Sequence, residues 1–149
     1  RRTPQTKKKW TNLQTSSMVY NGQTLSFRSG LEGKVALGLQ GLGVTFSYEP
    51  HWVEYLKPAK IHKYKPDFQI GDIYIEVKGR FDSADRAKHL LIKEYYGPPE
   101  EGGIDIRFLF SNPRQKISKK SKTTYAMWCE KHGFRYADLN SLSDLLKDA

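Results

Sequence analysis

Two carboxylates and a lysine in KPDFQIGDIYIEVKG, residues 65–79, have side-chain types and a spacing that suit the binding of a divalent cation. Glycine and aspartate at positions 71–72 form a two-residue turn signal between runs rich in β-branched and aromatic residues, which predicts a β-hairpin. In that register Asp67 faces Glu76, and directly opposed Cβ atoms lie about 5 Å apart. Like charges at that distance repel, so the pairing is costly unless a cation lies between the two acids.

The same face of the second strand also carries Lys78, because Glu76 and Lys78 are two residues apart and lie roughly 6–7 Å from each other along the strand. Hard oxygen ligands such as those of Asp67 and Glu76 suit Mg²⁺ or Mn²⁺. A cation held there would polarise a phosphoryl oxygen and lower the pKa of a bound water, while the lysine orients groups or stabilises charge. This combination is typical of phosphodiester hydrolysis.

A purely structural interpretation explains the same residues. In it the hairpin faces solvent and carries ordinary ion pairs, Asp67 with Lys65 or Glu76 with Lys78, which contribute little to stability. Pro-Asp followed later by Glu-x-Lys also recurs by chance. From the spacing alone, both interpretations stay open.

A third carboxylate, Glu32, lies at the start of a predicted helix. Ser29 is the expected N-cap and Glu32 follows three residues later, which is a capping-box pattern. The helix could pack beside the sheet and bring Glu32 to the cation, although the capping role is a complete explanation by itself.

Composition narrows the class of protein. The chain has 149 residues, 38% hydrophobic and 28% charged, which suits one soluble globular domain. A net charge of +9 and a pI near 9.6 indicate attraction to a polyanion, either by a binding protein or by an enzyme. No apolar run approaches the ~18 residues of a membrane span, so no membrane partner is expected. The single cysteine, Cys129, fits a reducing compartment and argues against secretion.

The helices and strands that must position these residues can be predicted from hydrophobic periodicity and from capping, glycine and proline residues. Residues 1–26 are polar and basic, which predicts a flexible N-terminal arm. A helix is expected from the Ser29 cap to Gly43, then an extended stretch interrupted at a proline, a polar connector over residues 56–63, and the hairpin. A second helix begins near Asp82 and is expected to bury Ala87, Leu90, Leu91 and Tyr95. A strand over 104–110, a Thr124-capped helix, a short edge strand and a helical turn complete an α/β fold with a mixed sheet flanked by helices.

Several separate blocks of the sequence resemble a known family. Asp67, Glu76 and Lys78 match the PD-(D/E)xK nuclease signature, and the surrounding blocks FRSGLE, YKPDF, IEVKG, DRAKHLLIKE, IDIRFLFS and YAMWCEKHGFRYAD are similar to the T-seven-type phage endonuclease I family of Holliday-junction resolvases. The resemblance runs from about residue 27 to residue 138 and implies a restriction-endonuclease-like core, with residues 27–149 as the nuclease domain.

The resemblance also implies roles for individual residues. Glu32, Asp67, Glu76 and Lys78 would form the catalytic set of a Mg²⁺-dependent endodeoxyribonuclease, in which Mn²⁺ substitutes. Asp67, Glu76 and the Val77 backbone carbonyl would bind metal, Glu32 would help to hold a second ion, and Lys78 would assist the attacking water.

Partners follow from the same resemblance: branched DNA, especially four-way junctions, in the cytoplasm of a phage-infected bacterium. It further implies a segment-exchanged homodimer in which Glu32 of one chain completes the site of the other, with the crossing segment near residues 56–61. A non-catalytic basic nucleic-acid-binding module, or a sequence-specific nuclease of the same fold, are the alternatives.

Basic residues outside the motif are candidate contacts to DNA phosphates. A loop before the Thr124 helix start and the segment after the catalytic strand are rich in them, and a merely solvated loop is the alternative. The predicted DNA-binding residues are Arg80, Arg114, Lys116, Lys119, Lys120 and Lys122, with Lys7, Lys8 and Lys9 in the arm.

Overall fold

A computed structural model describes residues 16–57 and 60–148 of the chain. Most of the predicted arm, with Lys7, Lys8 and Lys9, lies outside the described residues. In chain order the helices and strands are β1 (Ser17–Tyr20), β2 (Gln23–Ser26), α1 (Gly30–Gly41), β3 (Ser47–Tyr48), β4 (Val53–Lys57), β5 (Lys60–Tyr64), β6 (Phe68–Ile70), β7 (Ile73–Lys78), α2 (Ser83–Tyr96), β8 (Asp105–Phe110), α3 (Tyr125–His132), β9 (Arg135–Ala137) and α4 (Leu142–Leu145). Short 3₁₀ turns cover Pro99–Glu101 and Leu139–Ser141.

The centre of the fold is a five-stranded sheet in the order β3-β6-β7-β8-β9. The pairs β3–β6 and β6–β7 are antiparallel, whereas β7–β8 and β8–β9 are parallel, so the predicted mixed sheet is confirmed. β7 pairs with β8 along its whole length and with β6 over Ile73–Ile75. Glu76 and Lys78 of the sequence motif therefore lie on the central strand, and Asp67 directly precedes its neighbour β6.

The predicted register of the β6–β7 hairpin is also confirmed. Phe68 lies opposite Ile75 and Ile70 lies opposite Ile73. Gly71 adopts a φ of 58° at the turn, a left-handed conformation that glycine tolerates without a steric penalty. This register orients the β7 side chains that carry the motif.

Two clusters of buried residues cover the two faces of the sheet. On one face α1 and α4 pack through Val35, Leu39 and Leu142 against apolar side chains of β6 and β7. On the other face α2 and α3 pack through Ile92 and Trp128 against an aromatic cluster on β8. The sheet is therefore flanked by helices on both sides, as the sequence predicts.

The structure corrects the end of the predicted arm. β1 and β2 pair as an antiparallel hairpin, and Met18, Tyr20 and Leu25 pack against the core below α1. Asn21 and Gly22 have φ values of 49° and 81° at its turn. Asn-Gly is a strong signal for a two-residue hairpin turn, and it is present in the sequence. The prediction of an arm gives more weight to the polar composition of the segment.

The predicted polar connector is corrected as well, because its second half is a strand. β5 pairs with β4 over five residue pairs, with Val53 opposite Tyr64 and Leu56 opposite Ile61. Val53 and Tyr64 are buried, whereas Leu56 and Ile61 are exposed. Alternation along β5 is thus present, but lysines at its exposed positions make the segment look like a loop.

Helix α2 buries a different face from the one predicted. His89 and Ile92 are its fully buried residues, whereas Ala87 and Tyr95 are exposed. The predicted Leu90 and Leu91 are half-buried on either side of that face. The face of the helix that packs on the sheet therefore includes a histidine, which a search for apolar residues alone does not select.

Among the described residues no helix combines the length and the hydropathy that a bilayer span requires.

Candidate active site

Asp67 is held by backbone contacts on two sides. Its Oδ2 accepts a hydrogen bond of 2.8 Å from the backbone N–H of Val77 on the neighbouring strand. Its own carbonyl accepts one of 2.7 Å from the backbone N–H of Glu49. The carboxylate is therefore fixed at the end of the hairpin away from the turn, beside Glu76.

Helix α1 places Glu32 close to Asp67. Ser29 caps the helix by accepting from the Glu32 N–H at 3.1 Å, as predicted. The Glu32 carboxylate accepts instead from the Tyr48 hydroxyl at 2.5 Å and from the Arg28 N–H at 3.3 Å. Its side chain is buried and turned toward the sheet, so the capping pattern positions the backbone while the carboxylate contributes to the site.

Three carboxylates meet at this point of the fold. One oxygen from each of Glu32, Glu49 and Asp67 lies within 4.8 Å of the others. Mg²⁺ binds oxygens at about 2.1 Å, so two of its ligands lie no more than about 4.2 Å apart, close to that spacing. The donor set is all oxygen and carries several negative charges, which suits a hard divalent cation. The residues present therefore fit such an ion.

Glu49 is the member of this group that the sequence analysis missed. It has a φ of 46°, an uncommon left-handed conformation for a residue other than glycine. Its carboxylate pairs with Arg28 at 2.9 Å and lies 3.9 Å from Lys65. Lys65 therefore pairs with Glu49, not with Asp67 as the structural interpretation of the hairpin proposed. No local pattern in the sequence marks Glu49, since its position depends on this backbone conformation.

Glu76 lies beside that group rather than within it. It is only 5% exposed, its Oε1 accepts from the Tyr64 hydroxyl at 2.7 Å, and its Oε2 lies 3.4 Å from Lys78 Nζ. Lys78 Nζ also donates to Asp85 Oδ1 at 3.0 Å. The alternative, structural interpretation is correct about the Glu76–Lys78 pair but not about its exposure to solvent, because Glu76 is buried in the interior.

Asp85 connects the lysine to helix α2. Its N–H donates to the Asp82 side chain and its Oδ2 accepts from the Asp82 N–H, which completes a capping box at the first turn of the helix. Its other oxygen receives Lys78. The D-x-x-D spacing after the motif is the sequence signal that could have identified this residue.

The pKa values of the acids report how poorly water solvates them. Burial, followed by the charge of Glu76, raises the pKa of Asp67 to about 8. Burial likewise raises the pKa of Glu76, although Lys78 and the Tyr64 hydroxyl oppose the shift. Burial disfavours the Lys78 ammonium, but Glu76 and Asp85 outweigh it and raise the pKa of Lys78. Without a cation, the charged forms of Asp67 and Glu76 are therefore less favoured than they would be in water.

The predicted basic residues divide into two groups. Arg80, Lys116 and Lys119 line one cleft of about 730 Å³, together with Arg86, whose guanidinium donates to the Phe81 carbonyl at 2.7 Å. Arg114, Lys120 and Lys122 are exposed on the same loop but do not line that cleft. A larger cavity of about 850 Å³ lies by the β6–β7 turn, and none of Glu32, Asp67, Glu76 and Lys78 lines it.

Comparison with known proteins identifies the family. The sequence model of the phage endonuclease I family matches residues 15–148. The chain is 49% identical to "Endodeoxyribonuclease 1" of Enterobacteria phage T3 over 117 residues, 78% of this chain and 74% of that protein. It is 48% identical to "Endonuclease I" of Escherichia phage T7 over 114 residues, 76% of this chain and 73% of that protein. The chain belongs to the phage endonuclease I family.

The raised pKa of Asp67 predicts how stability depends on pH in the absence of metal. Because the folded pKa is above the unfolded value of 3.8, the folded state binds more protons between about pH 4 and pH 8. The contribution of the Asp67 carboxyl to the free energy of unfolding is complete below the unfolded pKa. It is lost as pH rises through the folded pKa, at up to about 1.4 kcal/mol per pH unit. Replacing Asp67 by Asn should flatten this decline, measured as urea unfolding in EDTA.

The matched control is Asp72→Asn, at an exposed carboxylate on the turn of the same hairpin. It should leave the decline of stability with pH as in the unsubstituted protein. An Asp67→Asn variant that declines as steeply as the control would contradict the assigned burial of Asp67.

Proposed function

We propose that the protein is a metal-dependent, structure-selective DNA endonuclease that resolves four-way (Holliday) junctions and other branched DNA by phosphodiester hydrolysis. The observation that carries this proposal is the meeting of three carboxylates within 4.8 Å beside the buried Glu76–Lys78 pair, in a chain of net charge +9. Membership of the phage endonuclease I family supports it. We further propose a restriction-endonuclease-like core and action inside the phage-infected bacterial cell.

Three carboxylates and one backbone carbonyl account for the proposed metal binding. Asp67 and Glu76, with the Val77 carbonyl, would hold one Mg²⁺, and Glu32 with Asp67 would help to hold a second; Mn²⁺ would substitute. The bound metal would supply Lewis-acid polarisation of the phosphoryl oxygen and a water of lowered pKa. The pKa of Asp67 near 8 supports this assignment, because a half-buried carboxyl that lies beside another acid gains from a nearby cation.

Lys78 would act as a fixed positive charge. Its raised pKa keeps it as an ammonium, which donates protons in hydrogen bonds and does not accept them. It lies between Glu76 and Asp85, at 3.4 and 3.0 Å. From there it would orient the attacking water and stabilise the charge that develops on the phosphoryl oxygens.

The basic cleft would carry the DNA backbone past the carboxylates. Arg80 follows Lys78 by two residues, and Lys116 and Lys119 line the same cleft as Arg80. Contacts of this kind read phosphate positions and the shape of the branch without reading bases. Arg114, Lys120, Lys122 and the arm lysines Lys7, Lys8 and Lys9 would add contacts further along the substrate.

A homodimer with exchanged segments would supply the two active centres that two strand cuts require. Here one chain supplies both Glu32 and Asp67. The β4–β5 hairpin lies between them in sequence, and its end carries the exposed Leu56 and Ile61. Opening of the hairpin in two copies would let Glu32 of one chain join Asp67, Glu76 and Lys78 of the other without changing the local contacts.

Removing the charge of Glu76 or Lys78 should abolish cleavage and leave junction binding nearly intact. Glu76→Gln and Lys78→Met keep the size of each side chain, so the phosphate contacts of the surface are retained. The measurement is nicking of a labelled four-way junction and of a linear duplex, with and without Mg²⁺, beside a gel-shift titration.

The matched controls are Glu54→Gln and Lys63→Met, an exposed acid and lysine that face each other on the β4–β5 hairpin. Both should cut the junction at the unsubstituted rate and should cut linear duplex poorly. Retained cutting by Glu76→Gln or Lys78→Met would refute the chemistry, and cutting of linear DNA at fixed sequences would favour a sequence-specific nuclease. Metal-independent binding without nicking would favour a non-catalytic module.

Neutralising one lysine of the cleft should change the salt dependence of binding. In a Glu76→Gln background, which prevents cleavage, Lys119→Gln should weaken junction binding and reduce the slope of log K against log salt by about 0.9 for each phosphate that is no longer neutralised. Lys147→Gln, an exposed lysine outside the cleft, is the control and should keep the slope. An unchanged slope for Lys119→Gln would remove this residue from the interface.

Mixing two inactive variants should reveal whether segments are exchanged. Glu32→Gln and Glu76→Gln homodimers should both be inactive. In a mixed exchanged dimer, the Glu32→Gln chain supplies an intact Asp67–Glu76–Lys78 set and its partner supplies an intact Glu32, so one centre is restored. Co-refolding the two variants should therefore recover nicking of a junction. No recovery from a sample that sediments as a mixed dimer would show that each chain completes its own site.

A further inference from the structure

Two tyrosine hydroxyls each donate to one carboxylate of the site. The Tyr48 hydroxyl donates to Glu32 Oε1 at 2.5 Å, and the Tyr64 hydroxyl donates to Glu76 Oε1 at 2.7 Å. We propose that Tyr48 and Tyr64 are positioning residues that hold these two carboxylates in the orientation that binds the cation. This inference rests on the metal assignments of the proposed function and adds residues that the motif does not contain.

The Tyr64 ring is fixed from two sides. Tyr64 is 2% exposed, and the edge of the His89 ring meets it at 5.0 Å between centroids and an interplanar angle of 84°. Lys88 Nζ lies 5.4 Å from the ring centroid. Because Tyr64 also pairs with Val53 across the hairpin, its main chain is held as well. A rigid ring directs its hydroxyl to one place, which is Glu76 Oε1.

The two oxygens of Glu76 contact different partners. Tyr64 occupies Oε1, while Oε2 faces Lys78 at 3.4 Å. Without the hydroxyl, the carboxylate could rotate to pair more closely with the lysine, and binding a cation would then require breaking that pair. Groups that orient a ligating carboxylate typically change metal affinity by about 10–100-fold when removed.

Tyr48 holds Glu32 in a similar way. Its hydroxyl accepts from the Arg28 N–H at 3.2 Å while it donates to Glu32. Its ring contacts Phe27 at 4.8 Å and Phe68 at 5.2 Å between centroids, so it links the start of α1 to the sheet beside Asp67. The two acids come to the site from different elements, and each of them thus has its own tyrosine donor.

The test measures Mn²⁺ binding to the full chain without DNA by electron paramagnetic resonance. The variants are Tyr64→Phe and Tyr48→Phe. Each substitution removes one hydroxyl and keeps the ring. We expect Mn²⁺ affinity to fall about 10–100-fold at the site that Glu76 helps to form in Tyr64→Phe, and by a similar factor at the site that Glu32 helps to form in Tyr48→Phe. Higher Mn²⁺ concentration should restore the rate of junction cleavage, which damage to the fold would not allow.

Tyr55→Phe is the matched control, because Tyr55 is a buried tyrosine on the same hairpin whose ring packs on His62. Unchanged Mn²⁺ affinity in both test variants would overturn the inference, as would an equal loss in the control. Should Tyr64→Phe fail to fold, as judged by circular dichroism in EDTA, Tyr48→Phe decides alone, since Tyr48 is only half-buried.

Failure of the proposed function gives a different result. If Glu76→Gln loses Mn²⁺ binding and Tyr64→Phe weakens it, but the unsubstituted protein does not cut junctions, the positioning role stands and the substrate assignment fails. If Glu76→Gln binds Mn²⁺ as the unsubstituted protein does, the metal assignment and this inference fail together.

Discussion

The burial of Glu76 on the central strand is the constraint on which the rest of the site depends. An acid that is 5% exposed must find its partners inside the protein, and here three segments supply them: Tyr64 from β5, Lys78 from β7 itself and, through that lysine, Asp85 from α2. The backbone of Glu76 is held opposite Phe108 of β8 in the sheet, and its side chain lies in the interior. The elements around it are therefore arranged to satisfy one carboxylate.

Charge is organised on two length scales. The chain as a whole carries +9, which attracts a polyanion from a distance of about one Debye length, near 10 Å in ordinary salt. At short range Glu32, Glu49 and Asp67 form an acidic group, with one oxygen of each within 4.8 Å of the others. Arg28 and Lys65 already pair with Glu49, so they limit its repulsion from the other two acids. The charge of the surface thus suits a polyanion, while the charge of the acidic centre suits a cation.

The sequence predicted the features that depend on neighbours in the chain. The Gly71 turn fixed the β6–β7 register, and the Ser29 and Thr124 caps located two helix starts, because these signals act within a few residues. Two local signals, the Asn21–Gly22 turn and the Asp82–Asp85 spacing, were available but not used, and the other missed features arise from tertiary contacts. Glu49 reaches the site through a left-handed backbone, and α2 turns His89 to the core because Tyr64 and Phe108 surround that ring. No local pattern encodes either outcome.

The capping pattern at Glu32 shows why a correct local prediction can still leave function open. The pattern allowed a helix cap, which is a complete explanation by itself, or a cation ligand, and in the structure the backbone and the carboxylate of Glu32 make different contacts. The Glu32 N–H donates to Ser29, whereas the carboxylate turns to Tyr48. The distinction depends on Tyr48, which is 16 residues further along the chain and reaches Glu32 through the packing of β3 beside α1. The backbone and the side chain of Glu32 therefore satisfy different parts of the fold.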